Sequence, residues 1–172
     1  MKNIFLIGMM GSWKSTVGKK ISQSLNMKFI DIDDQIELMT KMKISEIFQE
    51  FGETRFREME KAYFVEKAKQ DGHVFSTGGG IVLNSQNRQV LFNFGKTFFL
   101  KASIKTLAER IKNTTKRPLL DNSDNIQENL ETIWIKRKNL YNESSHYCIE
   151  TDKLNPDMVV KKMLNILKVP IE

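Results

Sequence analysis

One stretch near the N-terminus, Gly8-Met9-Met10-Gly11-Ser12-Trp13-Lys14-Ser15-Thr16, constrains the fold of this 172-residue chain more than any other. It follows a short apolar run, Ile4-Phe5-Leu6-Ile7, of the kind that forms a strand buried on both faces. It precedes a segment, residues 17–25, with a helical pattern. Strand, glycine-rich turn and helix, in that order, is the setting a phosphate-binding loop requires. Gly8 lets the chain turn tightly out of the strand. Successive backbone N–H groups then form a nest for phosphate oxygens, and the helix adds its positive end. Lys14 is spaced to bridge terminal phosphates and the Ser15 hydroxyl to hold Mg²⁺. The plain alternative is a Gly/Ser-rich turn that only caps a helix.

Gly8, Lys14 and Ser15 fit G-x-x-x-x-G-K-[ST], but Trp13 stands where that pattern has its second glycine. A left-handed backbone there costs a non-glycine residue about 1–2 kcal/mol. An indole that collides with nucleotide or with the loop's own turn would add to this, and the expectation is weakened nucleotide binding, weakened catalysis, or both; an indole turned out to solvent or lying near the substrate side would be the milder outcome.

The length suits one domain with a substantial core. Hydrophobic content of 40% and charged content of 28% are those of an ordinary soluble protein. A net charge of +6 suits anionic small substrates and is also compatible with nucleic acid; its densest patch, Lys136-Arg137-Lys138, reads by default as a solvated helix face. Cys148 is the only cysteine, so no intrachain disulfide forms, and its apolar neighbours suggest a buried thiol. No apolar run reaches membrane-spanning length and no signal-cleavage pattern follows the N-terminus, so the expected home is the cytoplasm. The two histidines lack metal-ligand spacing.

Strand candidates at 3–7, 28–32, 73–77, 97–101 and 147–151 alternate with helical stretches at 14–25, 34–42, 44–51, 53–70, 85–94, 103–112, 125–143 and 156–167. This alternation predicts a three-layer α/β fold, a parallel sheet with helices on both faces. Ligands then bind at the carboxyl ends of the strands. The second strand ends in Asp31-Ile32-Asp33, and residues two apart on a strand share a face. Such a pair can organise Mg²⁺ and take a substrate hydroxyl proton, or merely cap the next helix. Arg57 and Glu60 sit three apart on a helix and can pair; on the surface such a pair is worth little, whereas facing the cleft it lets Glu60 hold the Arg57 fork for a carboxylate substrate. Phe48 and Phe56 read first as core. Gly78-Gly79-Gly80 after the third strand implies that something approaches the backbone closely. The polar, proline-broken stretch at 112–123 has the length of a mobile lid carrying Arg117. Asn155-Pro156 begins the last helix, and its loop is placed to border a purine base.

Taken together, the loop, Asp31-x-Asp33, Gly52-Glu53 with Phe56-Arg57-x-x-Glu60, the three glycines, Arg117-Pro118-Leu119-Leu120 and Arg137-x-x-Leu140-Tyr141 resemble the shikimate kinase family nearly end to end. The resemblance implies a five-stranded parallel sheet ordered 2-3-1-4-5 in one domain spanning 1–172. It also implies a substrate-binding helical region at about 33–61 and a lid at about 112–123. The implied reaction is phosphorylation of the 3-hydroxyl of shikimate by ATP with Mg²⁺, a step toward chorismate and the aromatic amino acids. By matching position, Asp33, Arg57, Gly78, Gly79, Gly80 and Arg137 bind shikimate. Gly11, Ser12, Trp13, Lys14, Ser15, Thr16, Arg110, Arg117, Asn155 and Pro156 serve ATP. Ser15 and Asp31 serve the metal, and Lys14, Asp33 and Arg117 serve catalysis. The expected partners are shikimate and ATP, with no nucleic acid and no membrane, and the chain is expected to be a monomer. The competing readings are a kinase for another small hydroxy acid and a non-catalytic shikimate-binding relative that has lost nucleotide chemistry through Trp13.

Overall fold

The computed structural model describes residues 2–112 and 125–169. Five parallel strands, β1 (Asn3–Ile7), β2 (Lys28–Asp31), β3 (His73–Ser76), β4 (Gly95–Lys101) and β5 (Tyr147–Glu150), form one sheet in the order β2-β3-β1-β4-β5. The predicted order is therefore observed. Seven α-helices accompany them among the described residues: α1 (Lys14–Ser24), α2 (Ile32–Thr40), α3 (Ile44–Lys67), α4 (Ser85–Asn93), α5 (Ile104–Lys112), α6 (Ile126–Glu143) and α7 (Pro156–Leu167).

Alternation along the strands sorts the core into two layers. Phe5, Ile7, Phe75 and Phe99 point to one face, where they pack with buried residues of α2 to α6. Ile4, Leu6, Val74, Phe98 and Leu100 point to the other, against α1 and α7. The central strand β1 is covered on both faces and is buried at every position. Both faces being sealed, the strand ends are where ligands gain access.

Three local expectations are corrected. Helix α2 begins at Ile32 rather than 34, because Asp31 is its N-cap and accepts from the Asp33 N–H at 3.2 Å. Asp33 thus sits in a helix's first turn, and not on a strand two places from Asp31. The predicted helices at 44–51 and 53–70 are the two halves of α3, which breaks at Gly52 (φ 78°, ψ 169°). Cys148 is exposed, not buried; β5 is an edge strand and only Ile149 within it is fully buried. No helix among the described residues is long and apolar enough to cross a membrane. Arg117, and the expected lid apart from Lys112 at the end of α5, lie outside the described residues.

Candidate active site

The phosphate-type loop joins β1 to α1. Gly8 (φ 145°) is held so close to β4 that a Cβ there would meet the Leu100 carbonyl oxygen at 2.5 Å. Gly11 (φ 78°) would crowd Ile111 and the Leu107 carbonyl of α5. Lys14 opens α1 yet is 8% exposed, because its Nζ donates to the Gly8 and Met9 carbonyls at 2.9 Å each and reaches Ser12 Oγ at 3.5 Å. Ser12 is fully buried, whereas Thr16 is exposed on the first turn of α1.

Sheet register brings the next polar groups to this loop. Asp31 pairs with Ser76, and Ser76 with Leu6, so the ends of β2, β3 and β1 lie side by side. The Ser15 hydroxyl donates to Asp31 Oδ2 at 2.6 Å and lies 3.1 Å from Ser76 Oγ. The other Asp31 oxygen caps α2. This is an oxygen-donor pair of the kind Mg²⁺ takes alongside substrate phosphates. A hydroxyl and one carboxylate suffice there; among the described residues no cluster of three or more acidic, histidine or cysteine ligands exists.

Asp33 is half-buried, with its Oδ1 fully enclosed and without a hydrogen-bond partner among the described residues. Burial, then repulsion from Glu60 and Asp31, pushes its carboxyl up to about 7 against the pull of Lys14 and Arg57. Nearby, Arg57 donates to Glu60 Oε2 at 2.8 Å and grips Glu53 Oε1 through NH2 at 3.1 Å and Nε at 3.2 Å. The expected Arg57–Glu60 pair is present, and it is no surface pair, since the Glu60 side chain is 1% exposed. Burial alone would lower the Arg57 pKa; the two carboxylates outweigh it and raise it. Burial raises Glu60, opposed by Arg57 and Arg137.

Gly78 and Gly80 are explained by space, not by backbone angle. A Cβ at Gly80 would fall 2.3 Å from the Arg57 Cζ, and one at Gly78 would fall 2.6 Å from Glu60 Oε1 and 3.0 Å from Asp33 Oδ1. Gly79 is fixed through its carbonyl, which accepts from the Tyr141 hydroxyl. Tyr141 is wholly buried, stacked on Phe99 at 5.0 Å, and burial pushes its phenol up to about 12. One turn of α6 before it stands Arg137, 8% exposed.

These groups share one cavity of about 660 Å³. Its lining includes Lys14, Ser15 and Asp31 together with Asp33, Arg57, the three glycines and Arg137. Phe48 and Phe56, read as core, pack 4.9 Å apart and are also its apolar wall. Ser76 does not stand out in the sequence as a site residue; its only signal is its place at a strand's carboxyl end.

Trp13, Arg110, Asn155 and Pro156 lie outside that cavity. Trp13 adopts the expected left-handed conformation (φ 68°, ψ 19°). Its indole is partly buried and does not line the cavity. It packs against the α1/α7 core layer and lies beneath the Arg110 guanidinium, whose Cζ is 3.3 Å from the ring centroid. Arg110 donates to Thr151 Oγ1 at 3.1 Å and to its carbonyl at 2.8 Å. Thr151 begins the turn that ends at Asn155, the N-cap of α7, which accepts from the Met158 N–H, with Pro156 in the first helical position.

The sequence matches the family model described as Shikimate kinase over residues 10–168. A shikimate kinase of Thermodesulfovibrio yellowstonii is 43% identical over 164 residues, covering 95% of this chain and 94% of that protein. Another, from Sulfurihydrogenibium sp., is 41% identical over 168 residues, covering 98% and 99%. Among solved structures, the shikimate kinase from Acinetobacter baumannii in complex with shikimate is similar with a TM-score of 0.93 at 32% identity, over 98% of this chain and 93% of that one. A deoxyadenosine kinase from M. mycoides with bound dATP, 16% identical with a TM-score of 0.64 over 96% of this chain and 99% of that one, shares the fold alone.

Proposed function

The chain belongs to the shikimate kinase family, and on that premise we propose how its own residues divide the ATP-dependent phosphorylation of shikimate. Membership disfavours both the non-catalytic reading and a kinase for another hydroxy acid.

Arg57 and Arg137 take the shikimate carboxylate. What supports this is that two guanidinium groups face one cavity, with Arg57 pre-aimed by Glu60 and Glu53. A fork already fixed loses little freedom on binding. Asp33 accepts the 3-hydroxyl and removes its proton. Its support is a carboxyl that lines the cavity and a pKa near the working range of a general base. Gly78, Gly79 and Gly80 keep the backbone low enough for the ring to lie against it.

On the nucleotide side, the amides of Gly11, Ser12 and Trp13 cradle phosphate oxygens and Lys14 reaches the terminal ones. Lys14 exchanges its hold on the Gly8 and Met9 carbonyls for phosphate. Ser15 and Asp31 would hold Mg²⁺, for which their adjoining hydroxyl and carboxylate are suitable oxygen donors. Once bound, the metal supplies charge neutralisation between phosphates. Thr16 lies at the start of α1 beside this cradle, and Arg110 with the Asn155-Pro156 turn flanks the base. Little covalent work falls to the protein; alignment and charge stabilisation carry the rate.

The same reading treats residues 1–172 as one catalytic domain, monomeric and cytoplasmic, with residues 33–61 holding shikimate. The observation that carries it is a single cavity joining Lys14, Ser15 and Asp31 to Asp33, Arg57 and Arg137. A coupled ADP-release assay with shikimate, ATP and Mg²⁺ tests it. Shikimate-dependent ADP release is expected, with Arg57→Ala raising the KM for shikimate by about 100-fold and that for ATP by less than threefold. The reverse pattern contradicts the assignment.

A further inference from the structure

Trp13 and Arg110 form the tightest of the three cation–ring contacts among the described residues. Their separation is 3.3 Å, against 5.0 Å for Arg57 on Phe56 and 5.9 Å for Lys19 on Phe29. The contact is braced from both sides. Arg110 is tied to Thr151, which is fully buried and bonded in turn to the Lys101 carbonyl through its N–H at 2.8 Å and its hydroxyl at 3.1 Å. Trp13 is fixed by the loop on one side and by the α1/α7 core layer on the other. Two planar groups at 3.3 Å are in van der Waals contact, so a base cannot enter between them.

We infer that the Trp13 indole is an internal occupant of the Arg110 stacking face and competes there with the nucleotide base, so that Trp13 sets how much the base contributes to nucleotide affinity. This rests on the reading that Arg110 flanks the base. A base gains the Arg110 face only by displacing the indole, and what it gains by stacking is offset by the cation–π contact it breaks. The phosphates are untouched by that exchange, because their cradle is made of loop amides and Lys14. Trp13 is therefore a specificity-determining residue that tilts recognition away from the base and onto the phosphate chain.

Substitution separates the stack from the strained backbone. Trp13→Asn removes the indole while asparagine tolerates the left-handed conformation. Trp13→Gly removes both the indole and the strain. Calorimetric titration of the full chain with Mg²⁺ and either ATP or inorganic tripolyphosphate, which has no base, reads the difference. Trp13→Asn is expected to tighten ATP by about 3- to 30-fold, with tripolyphosphate changed by less than about twofold. Equal gains on both ligands, no gain on ATP, or a loss of ATP affinity would each overturn the inference. The last would make the indole the base's partner rather than its rival.

A second readout works without a gain in affinity. Trp134→Phe leaves Trp13 as the only tryptophan in the chain. Its emission is expected to shift on adding ATP and to stay still on adding tripolyphosphate; an emission unmoved by ATP overturns displacement. Failure of the underlying reading looks different. In the Trp13→Asn background, Arg110→Ala should lose the gained ATP affinity, and an unchanged affinity would remove Arg110 from the base site altogether.

Discussion

Asp33 carries the most chemistry per atom. Unfolded, it titrates near 3.8; folded, near 7. As a general base it must be ionised, so kcat/KM for shikimate is expected to rise with pH and level off above about 7. Asp33→Asn is expected to cost about 10²–10⁴ in kcat and to abolish that limb of the profile. The stability consequence has the opposite sense. Between about 4 and 7 the native state holds a proton that the unfolded chain has released, so the group's contribution is complete below about 4 and is lost as pH rises through about 7. The melting temperature of Asp33→Asn relative to the parent should therefore climb between pH 5 and pH 8. A flat difference would mean that the carboxyl is not held in this way. Gly80 makes a second residue-scale case. An added methyl would fall 2.3 Å from a guanidinium carbon, and a side-chain end can move aside. Gly80→Ala is expected to fold normally and to swing Arg57 off target, with the KM for shikimate up at least about tenfold and that for ATP little changed.

Elements were legible where local pattern and tertiary need agreed. Strand β1 and helix α1 are found where the apolar run and the loop motif put them. The sequence reading split 44–70 at Gly52, and there α3 breaks. With φ 78° and ψ 169°, that position suits glycine alone, and the break brings Phe48 and Phe56 together as the cavity wall. Gly52→Ala meets no neighbour within 4 Å, so its cost is purely conformational, about 1–3 kcal/mol. Thermal unfolding should begin roughly 2–10 °C lower. The role of Asp31 was only half legible at this scale. A carboxylate at a strand's end reads equally as metal ligand or helix cap; here one oxygen caps α2 through the Asp33 N–H and the other accepts from the Ser15 hydroxyl. The Trp13–Arg110 stack was illegible for another reason. Its partners lie on α1's leading turn and on α5, and nothing local to Trp13 specifies which distant helix its ring will meet.

At the scale of the molecule, sheet order does the assembling. Placing β1 between β3 and β4 sets the phosphate-type loop beside Ser76 and Asp31 on one flank and beside α5 on the other. The residues proposed to hold shikimate, Asp33, Arg57 and Arg137, come from three separate stretches, α2, α3 and α6, and line one cavity with the glycine turn after β3. The ordered motifs made that convergence readable, while the distances that give it meaning came only from packing. Two anions are thus expected to meet end to end above the carboxyl edge of the sheet. A crystal structure of the protein with shikimate, ADP and Mg²⁺ tests this most directly. The account predicts the shikimate carboxylate hydrogen-bonded to both Arg57 and Arg137, with its 3-hydroxyl on Asp33 and facing the ADP phosphates. A carboxylate bound away from both guanidinium groups, or a 3-hydroxyl turned from Asp33, would contradict it.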